Sequence, residues 1–213
     1  VAGSVVTQSA NENSVQYPTV SVSTDIMDIA ISTRGATIAR VDLLDYPVSI
    51  EDQDTPFQLV SDDPLHYLVV ESGLQGRANE SAPTHREVMM PEAESYTLVD
   101  GQDSSAVPFI WKSDSGITVT KTLTFYRSKY EVDVAYDISN GSGADWTVNQ
   151  YRQLKRKPDT KDEKQQFMNT YIGAVVSNEE DRYTKISFGD MEDEDLNVSV
   201  TDGWVAMIQH YFA

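Results

Sequence analysis

The sequence predicts an all-β fold that forms one domain. Apolar residues alternate with Ser, Thr and Asp in several segments, as they do in strands with one buried face. Glycines and prolines separate these segments at short intervals, which is typical of turns between antiparallel strands. We find no long amphipathic helix with caps and no internal repeat. A chain of 213 residues with 39% hydrophobic residues can form one large all-β domain with a real core.

The chain opens with a polar segment that differs from the rest. Residues 1–18 consist largely of Ser, Asn, Gln and Val and show no sustained period. We expect either a flexible polar tether or a disordered leader there. The folded domain is expected to span residues 19–213.

The first structured segment is predicted to be a hairpin. From Thr19 onward, Val and Ile residues alternate with polar ones, with a bend near Asp25. The alternation is interrupted at Arg34–Gly35 and then resumes, so the segment Val20–Leu44 is predicted to turn there. Gly35 is expected to supply the positive φ of that turn.

The segment Asp45–Ser95 is less regular. Short apolar runs at 57–60 and 67–70 are separated by prolines and glycines, which predicts short strands joined by long loops. Residues 78–91 show no period, and we expect them to be the most mobile excursion from the fold.

The strongest alternation lies in Ile117–Ile138, which predicts a long antiparallel hairpin that turns at Arg127–Lys129. One face of each strand must pack on a second layer. After a tight turn at Gly141–Gly143, residues 146–154 are expected to continue this sheet. The basic stretch Arg152–Lys157 fits either an edge strand protected by charge or a binding patch.

The last part of the chain predicts three further strands, at 171–176, 183–188 and 196–200. The acidic stretch Asp190–Asp195 between them is expected to be a solvated loop. The final segment Gly203–Ala213 is apolar almost to its last residue, and we expect the native protein to continue beyond it.

Charge and missing motifs exclude several functional classes. The net charge of -18 repels the phosphates of nucleic acids and anionic lipid headgroups. There is no cysteine, and the histidines His66, His85 and His210 lack the spacing of metal ligands. Motifs of serine hydrolases, phosphate-binding loops and dinucleotide-binding sites are absent from the sequence. We therefore expect no catalytic residue, no cofactor and no metal.

Seven stretches together resemble the periplasmic domain of the YidC insertases of Gram-negative bacteria. They are distributed between Val20 and Ala213, and the terminal one is the most specific because it combines a long apolar run with Trp and Gln. The stretches are Val22–Gly35, Leu43–Pro47, Pro56–Leu59, Ser72–Arg77, Thr120–Thr122, Gln153–Lys155 and Gly203–Ala213.

This resemblance implies a β-supersandwich similar to galactose mutarotase, on the periplasmic side of the bacterial inner membrane, between the first and second transmembrane helices of a multi-pass protein. It implies no catalysis, because insertion is performed by the membrane-embedded part. It also implies two kinds of partner: the Sec translocon accessory subunits SecD and SecF, and nascent membrane proteins bound through the parent protein. The family's domain continues past Ala213 with further strands and a helical segment.

A partner surface is expected in the last part of the chain, where the end segment is unusually apolar. The predicted partner-binding residues are Tyr171, Trp204, Met207, Gln209, Tyr211 and Phe212.

The alternative is a carbohydrate-handling domain, in which the aromatic residues Trp111, Tyr126 and Trp146 stack on a sugar. These aromatics also fit a core role. Sequence alone places no His and Glu pair at mutarotase-like positions, which weakens this alternative.

Overall fold

The chain folds mainly into antiparallel β-sheets. The computed structural model describes residues 17–77, 80–157, 171–179, 182–197 and 201–208. Within these ranges there are fourteen strands and one short helix, so the predicted all-β sandwich is confirmed. The elements are β1 (Thr19–Ser23), β2 (Met27–Ser32), β3 (Thr37–Pro47), β4 (Pro56–Val60), β5 (Leu68–Gly76), β6 (Met90–Pro91), β7 (Ser95–Thr97), β8 (Ser104–Lys112), β9 (Ile117–Tyr126), β10 (Val132–Asn140), β11 (Val148–Arg156), β12 (Gly173–Ser177), β13 (Thr184–Ile186), α1 (Phe188–Asp193) and β14 (Trp204–Ile208).

The first sheet has the strand order β11-β5-β3-β2-β1-β7, and β4 pairs with β3 beside this path. The predicted hairpin is therefore a meander of three strands, with a bend at Asp25 and a turn at Arg34–Gly35. Gly35 has a φ of +68°, as expected. A Cβ at this position would lie 2.5 Å from the Cα atom of His85, so the turn also needs the small residue for space. Of the predicted tether, only Tyr17 and Pro18 lie within the described residues.

The second sheet has the order β10-β9-β8-β6. Its centre is the predicted hairpin of β9 and β10, which is confirmed, with Ser128 at a φ of +55° in the turn. Every second side chain of β9 is buried, starting at Ile117, because that face of the strand packs on the first sheet. One of these buried side chains is Lys121.

The core lies between the two sheets. Phe109 of β8 and Phe125 of β9 are fully buried there, together with Ile31 of β2. Burial of one such side chain contributes about 1.5–3 kcal/mol. At one end of the sandwich, the backbone N–H and hydroxyl of Ser128 donate to the Asp25 carboxylate at 3.0 and 2.6 Å, which ties the turns of the two sheets together.

The chain changes sheets after β10. Residues 146–154 were expected to continue the second sheet, and this prediction is wrong: β11 pairs with β5 of the first sheet over nine residue pairs. Among the described strands β11 has one paired side, so the basic stretch Arg152–Lys157 lies on an edge strand, as one of the two interpretations held.

The segment before β6 packs against the sandwich. We expected residues 78–91 to be a mobile excursion, but Pro83, Glu87 and Met89 are hydrogen-bonded to the first sheet, and Met90–Pro91 form β6 of the second sheet. The backbone N–H of Gly35 donates to the carbonyl of Glu87 at 2.7 Å, and Met89 is only 1% exposed in the core. The missing period arises because the part of this segment that packs on the first sheet is held by one isolated bridge, between Arg34 and Val88, and by separate hydrogen bonds instead of a continuous ladder.

The third sheet is small, with the order β13-β12-β14. The stretch Asp190–Asp195 was expected to be a loop, but its residues 190–193 belong to helix α1. This helix is capped by Ser187, whose hydroxyl accepts from the N–H of Asp190 at 3.1 Å. Of the strand expected at 196–200, residues 196 and 197 are not in a strand and the rest lie outside the described residues. Within the described ranges, no helix has the length and apolar character to cross a membrane.

Candidate functional site

The third sheet carries aromatic side chains on one face. Its register pairs Trp204 with Ser177 and Lys185 with Val175, which puts the Trp204 and Lys185 side chains on the same face. The ring of Tyr183 meets the Trp204 ring at an angle of 65°, with centroids 6.4 Å apart. Tyr183 is 53% exposed and Trp204 is 48% exposed. Large exposed aromatic side chains are enriched where proteins bind one another.

The opposite face of this sheet lines a groove beside α1. Val176 and Val205 pair directly across β12 and β14, and both line the groove, which has a volume of about 710 Å³. Val205 is 65% exposed, and Leu196 adds further apolar surface. Glu194 and Asp195 form an acidic rim. The third sheet thus offers an apolar groove with acidic borders on one side and an aromatic pair on the other.

Three of the six predicted partner-binding residues lie in the described part of the chain. Trp204 is exposed, whereas Met207 is half-buried opposite Ala174 in the sheet. The Tyr171 hydroxyl donates to the carbonyl of Ala174 at 2.7 Å, so this residue supports the sheet itself. Their role in binding a partner stays a prediction. The other three, Gln209, Tyr211 and Phe212, lie outside the described residues.

A second feature, the first-sheet pocket, lies on the face of the first sheet that points away from the core. Ile38 of β3 and Val70 of β5 pair across the strands and pack towards the core. Their neighbours along each strand point the other way and form the floor of a cavity of about 370 Å³. The floor residues are Thr37, Ala39, Val69 and Glu71.

A network of polar groups fixes His85 and Glu71 in this pocket. The Tyr151 hydroxyl accepts a hydrogen bond from the backbone N–H of His85 at 2.8 Å and lies 2.7 Å from the Nδ1 of the same residue. Gln153 donates to the Glu71 carboxylate. The His85 Nε2 and the Glu71 Oε2 are then 3.9 Å apart. Burial lowers the pKa of the His85 imidazole, and Glu71 only partly opposes this, so the pocket favours the neutral form of the ring.

Basic side chains surround the same pocket. Arg34, Arg86 and Lys155 all line it, although the chain has only 16 Lys and Arg residues in total. Arg34 lies over the ring of Tyr17 at 5.3 Å, and Lys155 lies over the ring of Tyr67 at 5.7 Å. The Nε of Arg34 is buried and has no hydrogen-bond partner among the described residues. The pocket thus concentrates positive charge in a strongly acidic protein.

Sequence reasoning missed this pocket. It placed no His and Glu pair, whereas the structure brings His85 and Glu71 together from a loop and a strand. The aromatic residues proposed for sugar stacking lie elsewhere: Trp111 is buried in the core and Trp146 packs against it, while the Tyr126 hydroxyl donates to Asp133 at 2.5 Å. Across the described ranges, no three His, Asp or Glu side chains come together as a metal site.

The sequence matches a known family along almost all of its length. The profile of the YidC periplasmic domain covers residues 19–213. The chain belongs to this family. The membrane protein insertase YidC of Methylococcus capsulatus is 42% identical over 194 residues, which cover 91% of this chain and 35% of that protein. The YidC insertases of Aeromonas hydrophila and Shewanella frigidimarina are 38% and 37% identical over 97% and 100% of this chain, and 38% of each relative is covered.

This YidC periplasmic domain spans about a third of the length of the curated relatives it matches. Two of the stretches that carried the resemblance have clear structural roles. The stretch Val22–Gly35 contains the turn that connects β2 to β3, and this turn contributes Arg34 to the pocket. The stretch Gly203–Ala213 supplies β14 at one edge of the third sheet.

A third stretch of the YidC periplasmic domain, Thr120–Thr122, contains the buried Lys121. This residue is 1% exposed, and its Nζ donates to the carbonyl oxygens of Gly35, Ala36 and Ser72 at 2.7, 3.0 and 3.2 Å. Burial lowers the pKa of its ammonium to about 7. Lys121 therefore links the second sheet to the Gly35 turn and to β5 through the core.

Proposed function

We propose that this domain is the periplasmic part of an inner-membrane insertase and that its third sheet binds the Sec accessory subunits SecD and SecF. The domain itself performs no catalytic step. Nascent membrane proteins are bound by the membrane-embedded part of the parent protein. The observation that carries the proposal is the exposed, edge-to-face pair of Tyr183 and Trp204 on one face of the third sheet, with an apolar groove on the opposite face.

The exposed apolar surface supports a protein partner. Isolated apolar side chains are common on protein surfaces, but a contiguous group at one edge of a domain marks an interaction site more often. Trp and Tyr also dominate the energetics of protein interfaces, since they bury a large area and lose little side-chain entropy. Val205 and Leu196 provide such a group at the groove, and Tyr183 and Trp204 add an exposed aromatic pair on the opposite face of the third sheet.

The acidic border indicates the chemistry of the partner. Asp190, Glu192 and Asp193 of α1 are exposed, and Glu194 and Asp195 follow directly at the groove. A partner that carries basic residues around an apolar knob complements this surface. Charge of this kind mainly accelerates association and selects the partner, so binding is expected to weaken as the salt concentration rises.

Binding of the purified domain to the periplasmic parts of SecD and SecF, measured by biolayer interferometry, tests the proposal. Replacement of Trp204 by Ala is expected to weaken binding at least tenfold, because a central aromatic contact contributes about 2 kcal/mol or more. Tyr130→Ala is the matched control: Tyr130 is 45% exposed, but it lies in the turn between β9 and β10. Equal affinities of the Trp204→Ala and Tyr130→Ala variants, or no binding by the unaltered domain, would contradict the proposal.

A further inference from the structure

We propose that the first-sheet pocket binds a small anionic polyol, which is a ligand with several hydroxyl groups and one carboxylate or phosphate. The pocket lies on the outer face of the first sheet, and its volume of about 370 Å³ is within the range of small-molecule sites. Two independent features of its walls indicate this ligand. The side chains of His85 and Glu71 are spaced so that a hydroxyl group can bind to both, and the Arg34 guanidinium has a hydrogen-bond donor without a partner among the described residues.

The hydroxyl site is the gap between His85 and Glu71. The Tyr151 hydroxyl accepts from the His85 backbone N–H, and we assign its own proton to the 2.7 Å contact with Nδ1, because this gives the hydroxyl one donated and one accepted bond. The His85 ring then carries its proton on Nε2, which faces the Glu71 Oε2 at 3.9 Å. This distance is too long for a direct hydrogen bond. A hydroxyl oxygen beside the gap can accept from Nε2–H and donate to Oε2 with ordinary lengths of about 2.7–2.9 Å.

Both partners of this hydroxyl site are held in place. Gln153 donates to the Glu71 carboxylate, and the Tyr151 hydroxyl fixes the tautomer and the position of the His85 ring. Gly73 makes room for this arrangement, because a Cβ there would lie 2.7 Å from the Tyr151 hydroxyl oxygen and 3.0 Å from the backbone nitrogen of His85. Preorganised donors and acceptors of this kind reduce the entropy cost of binding.

The anion site is formed by Arg34 with Lys155 and Arg86. The guanidinium plane offers donors in a fixed fork that matches carboxylate and phosphate oxygens, and the Arg34 Nε donor is buried without a hydrogen-bond partner among the described residues. Such a buried donor gains most from a ligand oxygen. With Glu71 and Asp62 also at the pocket, its three cations leave a net positive charge in a chain of net charge -18.

Titration calorimetry of the folded domain with five probes tests this inference. D-glucuronate and glycerol 3-phosphate carry both an anion and hydroxyl groups. D-glucose carries only hydroxyl groups, and acetate and inorganic phosphate carry only the anion. At least one of the first two is expected to bind tenfold or more tightly than each of the other three. Tighter binding of glucuronate indicates a sugar acid, whereas tighter binding of glycerol 3-phosphate indicates a phospholipid headgroup. Equal binding of glucose and both anionic polyols, or no binding of any probe, would overturn the inference.

Two variants locate the site. Arg34→Met is expected to weaken binding of the preferred probe at least tenfold, and Glu71→Gln is expected to weaken it because the amide is a weaker acceptor. Arg40→Met is the matched control, since Arg40 lies in β3 of the same meander but pairs with Asp42 outside the pocket. If Arg34→Met and Arg40→Met bind equally well, the pocket is not the site.

A spectroscopic measurement on the unaltered domain covers the case in which Arg34→Met fails to fold. The NMR signals of the His85 ring are expected to shift when the preferred probe is added, because Nε2–H gains a hydrogen bond. The signals of His66, which lies outside the pocket, are expected to stay in place. Unshifted His85 signals at a saturating probe concentration would contradict the inference.

Discussion

Raising the pH from 7 to 9 is expected to stabilise this domain because Lys121 is buried between the two large sheets. Burial lowers the pKa of its ammonium to about 7, and the Glu71 carboxylate only partly opposes this shift. In the unfolded chain the same group has its ordinary pKa of 10.5. Between these two values the unfolded chain holds a proton that the folded chain has released, so the free energy of unfolding rises with pH.

The size of this effect follows from the two pKa values. Each pKa unit corresponds to about 1.4 kcal/mol, and a group with a pKa of about 7 is half protonated at pH 7. The gain from pH 7 to pH 9 is then about 2 kcal/mol, which is large beside a total stability of about 5–15 kcal/mol. His85 adds little in this range, because burial lowers the pKa of its imidazole below the ordinary 6.5.

Urea unfolding, followed by tryptophan fluorescence at pH 7, 8 and 9, measures how the free energy of unfolding rises with pH. Lys121→Met removes the titrating group and is expected to abolish it. This variant also leaves three buried carbonyl oxygens without the lysine donor, so its stability is lower at every pH. The quantity to compare is therefore the slope of the free energy of unfolding against pH. Lys112→Met, at an exposed position of β8, is expected to keep the full rise. An unchanged rise of the free energy of unfolding in the Lys121→Met domain would show that Lys121 is not the group that titrates.

Two further outcomes follow from the turns. Gly35→Ala is expected to destabilise the domain clearly more than Gly101→Ala in thermal unfolding. Both glycines have a positive φ, which costs an alanine about 1 kcal/mol, but only at position 35 would the Cβ also collide with the backbone of His85. Equal losses of stability in the two variants would contradict this packing. The hydrogen bonds from Ser128 hold the pKa of the Asp25 carboxyl below its usual value, so Asp25 supports the fold at neutral pH and this support is lost as the pH falls through that lowered pKa. In an NMR titration, Ser128→Ala is expected to raise the Asp25 pKa towards its usual value; an unchanged pKa would exclude this contact in solution.

Local alternation was sufficient to predict the hairpin of β9 and β10. The same pattern also contained a signal for the buried lysine, because Lys121 occupies a core-facing position between Val119 and Leu123. Its partners could not be read from the sequence, since the carbonyl groups of Gly35 and Ala36 come from the turn before β3 and that of Ser72 comes from the middle of β5.

The pairing of strands that are distant in sequence could not be predicted from local alternation. The passage of the chain from β10 to β11 leads into the other sheet, and no local pattern of residues 141–147 specifies the partner strand. The pocket depends on the same kind of contact, because Glu71 and His85 meet only when the loop before β6 packs on the first sheet. Helix α1 is different: its capping box of Ser187 and Asp190 is a local signal that the acidic composition concealed.

We propose above that the third sheet is the surface through which this domain binds the Sec accessory subunits. Site-specific photocrosslinking in the full-length insertase tests it most directly, with a photoreactive amino acid at Val205 in β14 and, as the control, at Lys112 in β8. Both positions are exposed, but they lie in different sheets. We expect crosslinks to SecD or SecF from position 205 and none from position 112. No crosslink from 205, or equal crosslinks from both positions, would contradict it.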